Sequence, residues 1–203
     1  MSDRLDAQLR FILELDRAKQ VLRQNSLADA SRQENDAEHM WHLAVMALVL
    51  REHAGPEVDV AHVIEMLLVH DVVEIDAGDT FAYDDAAHAD KEARERLAAE
   101  RIFGLLPDDQ AQLMWDLWLE FEAKETPEAR FAASVDRLQP LLLNAASGGQ
   151  AWKRHGVTAD RVRARNAHIA DGAPALWDRA QRVIDAAVAR GELLQETSLT
   201  EEK

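Results

Sequence analysis

The stretch Val63-Ile64-Glu65-Met66-Leu67-Leu68-Val69-His70-Asp71 decides how this chain is read. Its apolar residues Ile64, Leu67 and Leu68 recur at three- and four-residue intervals, the spacing of one helix face. The run then ends on an imidazole and a carboxylate. Leaving both unpaired beside a core costs several kcal/mol, so something has to satisfy them. Glu74 stands four residues after His70 and three after Asp71, and a continued helix projects all three from one face. Asp79 follows Gly78, in a turn. Upstream, Glu38-His39 opens an amphipathic helix that runs on through Leu43, Val45 and Met46. Downstream, Asp136 stands inside Phe131-Ala132-Ala133-Ser134-Val135-Asp136-Arg137-Leu138, an otherwise apolar helix interior, where a carboxylate requires a cation or hydrogen-bond donors.

Helical spacing extends over most of the chain: Leu5, Leu9, Ile12 and Leu13; Trp41, Val45, Leu48 and Val49; Leu113, Leu117 and Phe121. Period-two alternation is nearly absent. Asp59, Thr126 with Pro127, and Thr158 read as helix starts. Gly55-Pro56, Gly78, Gly104 with Pro107, Gly148-Gly149, Gly156 and Gly191 read as stops. The chain has 203 residues, 47% of them hydrophobic and 30% charged, which is the size and balance of a single core. It shows no repeat and no linker. The expectation is all-α: a single globular bundle of about eight helices over residues 1–195, followed by a polar C-terminal tail, 196–203.

The 23 Lys and Arg against 38 Asp and Glu leave a net charge of −15. Such a surface repels nucleic-acid phosphates and anionic headgroups at long range, which argues against a polymeric nucleic acid or a membrane as partner. Apolar runs fall short of the roughly 20 residues that cross a bilayer, and Met1-Ser2-Asp3-Arg4 lacks the pattern of a signal peptide. The expected location is cytoplasmic. With no cysteine, disulfides, thiolate metal sites, iron–sulfur clusters and cysteine nucleophiles are excluded. A metal here must be held by His and carboxylate. Two imidazoles and two carboxylates from three helices suit a divalent cation, with positions left for water and substrate. Manganese, cobalt, nickel, zinc, iron and magnesium all accept such a set. An extra carboxylate such as Glu74 can steer a water or take its proton.

The ordered set His39, His70-Asp71 and Asp136, with Glu74 and Gly78-Asp79 completing the pattern HDxxExxxGD, resembles the HD superfamily of metal-dependent phosphohydrolases. The branch it is most similar to is that of the bacterial 5'-deoxynucleotidases and their eukaryotic HD-domain relatives, over about Leu9 to Arg190. The resemblance implies an all-helical HD domain, usually a homodimer, in which His39, His70, Asp71 and Asp136 bind one divalent metal. It implies that Glu74 helps to activate the attacking water and that Asp79 lies by the substrate sugar. It also implies two substrate-binding arginines ahead of the first ligand: Arg32, which opens Arg32-Gln33-Glu34-Asn35 in the manner of the family's RxEN, and Arg23. A guanidinium contacts two phosphate oxygens at once. Gln24 stands where the family carries a Trp that packs on the sugar.

The expected function is hydrolysis of a small phosphomonoester, a (deoxy)nucleoside 5'-monophosphate, by metal-activated water. Two other classes stay open: an HD-type di-iron oxygenase, for which no additional His is identified near the HD pair, and a non-catalytic, metal-stapled helical dimer that binds or senses. Binding a dianion with an acidic chain requires local positive charge, expected from Arg23, Arg32 and the basic stretch 150–190, where eight Lys or Arg face four Asp or Glu. His42, His53, His62, His88, His155 and His168 read as ordinary core or surface residues. Trp41, Trp115, Trp118, Trp152 and Trp177 read as core or interface, and Lys91 to Arg101 as a solvated helix face.

Overall fold

The computed structural model describes residues 4–83 and 89–195; His88 and the expected tail, 196–203, lie outside the described residues. Helix α1 (Arg4–Leu15) runs into a 3-10 turn (Asp16–Gln20), and a short antiparallel hairpin, β1 (Leu22–Ser26) with β2 (Gln33–Asn35), precedes α2 (Asp36–Leu50). There follow α3 (Val60–Val69), α4 (Glu74–Ala77), α5 (Lys91–Phe103), α6 (Asp108–Ala123), α7 (Pro127–Ala146), α8 (Gln150–His155), α9 (Ala159–Asn166), α10 (Ile169–Gly172) and α11 (Pro174–Ala189). The fold is all-α apart from the hairpin. The described residues form eleven α-helices besides two 3-10 turns, more than expected, because α4 and α10 are single turns of four residues each and too short to show a helical period.

The expected starts carry their caps. Asp59 accepts from the Ala61 N–H at 2.9 Å, Thr126 from Ala129 at 3.1 Å and Thr158 from Arg161 at 3.4 Å, each satisfying a donor that a helix N-terminus leaves open. The hairpin has no alternating pattern to announce it. The Gln33 amide ties its two strands together, donating to the Arg23 carbonyl at 2.8 Å, and Asn144 of α7 holds it from outside, donating to Asn25 Oδ1 at 3.0 Å.

Helix α7 is the axis and packs against α2, α3, α6, α10 and α11. Its Phe131, Ala132, Val135 and Leu138 share one buried cluster with Leu43 and Ala47 of α2, Val63, Met66 and Leu67 of α3, and Leu117 and Phe121 of α6. Each large side chain there contributes about 1.5–3 kcal/mol. Helix α10 lies close on α7 because Gly172 has no side chain; a Cβ there would sit 2.3 Å from the Arg130 carbonyl oxygen.

The apolar period located α1 and α2 but not their inner faces. Leu5, Leu9, Ile12 and Leu13, and Trp41, Val45, Leu48 and Val49, are exposed, while Ala7, Phe11, Met40, Leu43, Ala44 and Ala47 are buried. Helix α5 also departs from a purely solvated face: Lys91 pairs at 3.2 Å with the buried Glu95. No helix among the described residues is long and apolar enough to cross a membrane.

Candidate metal centre

Where α2, α3 and α7 meet, the core turns polar. Asn35 caps α2: its Oδ1 accepts from the Glu38 N–H at 3.0 Å, and its own N–H donates to Glu38 Oε2 at 3.2 Å. This reciprocal capping box sets the first turn, in which Asp36 and His39 are fully buried. Helix α3 ends at Val69 and does not continue to Glu74. Tight turns replace it, with the Val72 N–H donating to the Val69 carbonyl and the Glu74 N–H to the Asp71 carbonyl, both at 3.0 Å. Glu74 still lands beside Asp71. Gly78 then closes α4 at φ 77°, a left-handed value that glycine adopts without strain, and brings Asp79 to within 3.9 Å of the Arg23 guanidinium. Asp136 comes from α7, where Pro140 has no N–H to give the Asp136 carbonyl four residues back.

Four side chains converge. His39 Nε2 lies 3.2 Å from Asp136 Oδ1 and 3.7 Å from Asp71 Oδ2. His70 Nε2 lies 3.2 Å from Asp71 Oδ2 and 3.8 Å from Asp136 Oδ1. Donor atoms bound at about 2.0–2.2 Å to one cation sit roughly 3.0–3.5 Å apart at adjacent positions, close to these separations. Both rings are held from behind: His39 Nδ1 donates to Gln139 Oε1 at 3.2 Å and His70 Nδ1 to the Leu67 carbonyl at 3.0 Å. Since a carbonyl oxygen can only accept, Nδ1 carries a proton and Nε2 is the ring atom aimed at the carboxylates, which against the pull of burial raise His70 to about 10, so that Nε2 holds a proton whose place a metal ion would take. His70 Nε2 is buried without a hydrogen-bond partner. Two Nε2 atoms facing two carboxylates call for a cation between them, a proton or a metal ion, and the His and carboxylate set fits a divalent metal.

The Gln139 amide is itself fixed, donating to the buried Glu34 and, at 3.2 Å, to His42 Nδ1. Glu34, His42 and Gln139 thus orient His39, a role the sequence reading missed. The available signal was spacing: Gln139 follows Asp136 by three residues and shares its helix face.

A second group, Asp36, Asp71 and Glu74, places its oxygens within 4.8 Å of one another. Arg23 is drawn into it. Its Nη1 lies 2.6 Å from Asp71 Oδ2, 3.1 Å from Asp36 Oδ1, 3.8 Å from Glu74 Oε2 and 3.9 Å from Asp79 Oδ1. Burial and the Asp71 charge push Asp36 up to about 7 against the pull of Arg23, and burial with Asp71 and Asp36 raises Glu74 well above the carboxylate range. Asp79 is raised too, mainly by burial. Asp71 moves down in spite of its burial, held by His70 and Arg23. Asp136 does the same beside Arg137 and the two histidines. Among the described residues neither group contains a third imidazole.

His70, Asp71, Asp136, Glu74, Asp79 and Arg23 all line one cavity of about 540 Å³. Arg32 is not brought there: it pairs with Glu38 on the surface and donates to the Gln33 carbonyl at 2.9 Å. Gln24 lines the cavity with Phe81, Tyr83 and Trp152, and its Oε1 meets His155 Nε2 at 3.2 Å. Of the Lys and Arg in the 150–190 stretch, Arg165 reaches the cavity wall, joined there by Lys91, Lys124 and Arg137, which the sequence reading did not single out.

A family model for the HD domain matches residues 15–177. The chain belongs to the HD domain family. Among solved structures, this HD chain is similar to a predicted metal-dependent phosphohydrolase from Magnetospirillum magnetotacticum. The two are 53% identical with a TM-score of 0.91, over 94% of this chain and 96% of that one. Among curated proteins, it is similar to the 5'-deoxynucleotidase HDDC2 of Mus musculus, 31% identical over 135 residues and 66% of either chain. HDDC2 of Xenopus laevis is 32% identical over 127 residues, 63% of this HD chain and 61% of the relative. The matches therefore span just under two thirds of these curated relatives.

Proposed function

We propose that this HD domain is a metal-dependent phosphohydrolase that cleaves a small phosphomonoester, a (deoxy)nucleoside 5'-monophosphate. The observation that carries this reading is the convergence of two imidazole Nε2 atoms and two carboxylates at a cavity that His70, Asp71 and Asp136 line, with the buried Glu74 beside them. The metal-dependent phosphohydrolase at 53% identity supports the reaction class, and the 5'-deoxynucleotidases at about 30% support the substrate class.

A divalent cation held by His39, His70, Asp71 and Asp136 (manganese, cobalt, nickel, zinc, iron or magnesium) supplies Lewis-acid polarisation of the phosphoryl group and lowers the pKa of water. Glu74, buried with its oxygen near those of Asp71, is placed to accept the proton of the attacking water. The water oxygen bonds to phosphorus, the P–O bond to the sugar breaks, and the proton from Glu74 ends on the leaving alkoxide. Arg23 fixes the carboxylates Asp36, Asp71, Glu74 and Asp79 around the reacting water, and Asp79 stands where the sugar enters. The exposed Trp41, Val45, Leu48 and Val49 of α2 offer the apolar face that a homodimer would cover.

The test is phosphate release from a panel of ribo- and deoxyribonucleoside 5'-monophosphates with manganese, cobalt or magnesium. Turnover of at least one nucleotide is expected, with a loss of roughly 10²–10⁴-fold in Glu74→Gln at unchanged metal content. No release from any nucleotide with any of the metals overturns the reading.

A further inference from the structure

Opposite chemistry lines the far side of the cavity. Lys124, Arg137, Arg165 and His168 all face it, in a chain whose net charge is −15. Lys124 ends α6 at φ 55° and ψ 32°, the left-handed region where a side chain is disfavoured and glycine is the usual choice. Backbone strain kept at a cavity wall points to a side chain needed there. Arg137 follows the ligand Asp136 on α7 and is drawn towards it, but Nε and Oδ2 stay 3.7 Å apart, outside hydrogen-bond range. The Nε2 of His168 is buried with no hydrogen-bond partner.

These groups disturb one another. Burial, then Arg137 and Lys124, push His168 down to about 4, and burial with Arg137 also lowers Lys124. Lys124, Arg137 and His168 thus crowd one wall, with Asp136 and Glu122 as carboxylates on the same lining. The contrast is Arg23, whose positive charge four carboxylates already match.

We propose that Lys124, Arg137 and His168 form an anion subsite for the phosphoryl oxygens of the substrate, abutting the metal centre on its Asp136 side. The guanidinium and the ammonium supply charge-assisted donors to a phosphate dianion, and the neutral imidazole supplies a third polar contact. The inference rests on the phosphohydrolase reading, but its test is binding rather than turnover, so the two fail separately.

Inorganic phosphate is the probe, titrated calorimetrically into the manganese-loaded full chain at fixed ionic strength. Wild type is expected to bind, and Lys124→Gln and Arg137→Gln are each expected to weaken binding by roughly tenfold or more, with the exposed Arg154→Gln unchanged. Lys124→Gly separates binding from folding. It relieves the left-handed strain and is expected to raise the melting temperature by roughly 2 °C while weakening phosphate as Lys124→Gln does. Wild-type affinity in both glutamine variants at unchanged manganese content overturns the proposal, as does a wild type that binds no phosphate. Phosphate binding that depends on Lys124 and Arg137 in a protein that hydrolyses no nucleotide upholds the subsite and removes the assigned substrate instead.

Discussion

Two carboxylate groups lie side by side in this HD domain and share Asp71, yet their cations differ in origin. Around His39, His70 and Asp136 no guanidinium stands among the donor atoms: both Nδ1 protons are committed to Gln139 and Leu67, His70 Nε2 has no hydrogen-bond partner, and Arg137 stays 3.7 Å from the outer oxygen of Asp136. Around Asp36, Asp71 and Glu74 the Arg23 guanidinium already stands among the oxygens. The first group is built for a cation from solution, the second around one of its own. Acidic residues at ligand spacing are therefore a poor guide to metal stoichiometry until the positions of the arginines are known.

Removing a member of each group breaks the comparison at its two ends. Asp136→Asn keeps the shape and deletes a ligand charge; metal affinity is expected to fall by roughly 10²-fold or more and phosphohydrolase activity by about 10³-fold, read by metal analysis and phosphate release. A variant that keeps full metal content would remove Asp136 from the ligand set. Arg23→Met should do the reverse, keeping the metal while losing about 3 kcal/mol of stability at neutral pH, since buried carboxylates lose their partner. The sign with pH follows from linkage: carboxyls raised further in the folded state hold protons that the unfolded chain has released, so stability returns as pH falls below about 7. Urea unfolding at pH 8 and pH 5 checks this, and an equal deficit at both would show that Arg23 does not act through charge.

How far this was legible in the sequence depends on what fixed each residue. His70, Asp71 and Asp136 announced themselves because polar groups in apolar helical runs need partners, His39 joined them through its place in the HD pattern, and the structure brings all four together. The helix caps at Asp59, Thr126 and Thr158 were equally local. Arg32 matched a motif but lies outside the cavity, because Glu38 engages it while also capping α2. Lys124 and His168 stayed hidden. One owes its place to an unusual backbone conformation, and the other to packing between distant segments, neither of which has a sequence period. The inner face of α2 was also unreadable, since that helix is apolar almost all round and only tertiary contacts select Leu43 over Trp41.

A smaller change sharpens the role of the shell behind the metal. Gln139→Leu keeps the volume and removes the acceptor for His39 Nδ1, freeing the ring to rotate or change tautomer. The buried Glu34 loses its amide donor as well. Metal affinity is expected to fall by roughly 10–100-fold with all four ligands intact, measured by competition with a chelator. Unchanged affinity would mean that packing alone orients His39.

The smallest effect belongs to a charged pair outside both groups and sets the scale for them. His62 of α3 places Nε2 2.7 Å from Glu120 Oε2 of α6, and Glu120 in turn accepts from Thr126 Oγ1 at 2.6 Å. The bond to Glu120 raises the His62 pKa above its ordinary value, against some burial. A raised folded-state pKa for a base stabilises the fold fully below the unfolded value near 6.5 and ceases to do so as pH rises through the folded value. The imidazole is 35% exposed, so solvent screening limits the contribution to about 0.5 kcal/mol. His62→Gln is thus expected to lie slightly below wild type in urea midpoint at pH 5.5 and to match it at pH 9. A gap that persists at pH 9 would assign His62 a packing role, and a gap of several kcal/mol at pH 5.5 would contradict the premise that ionic contacts in this protein gain their strength from burial.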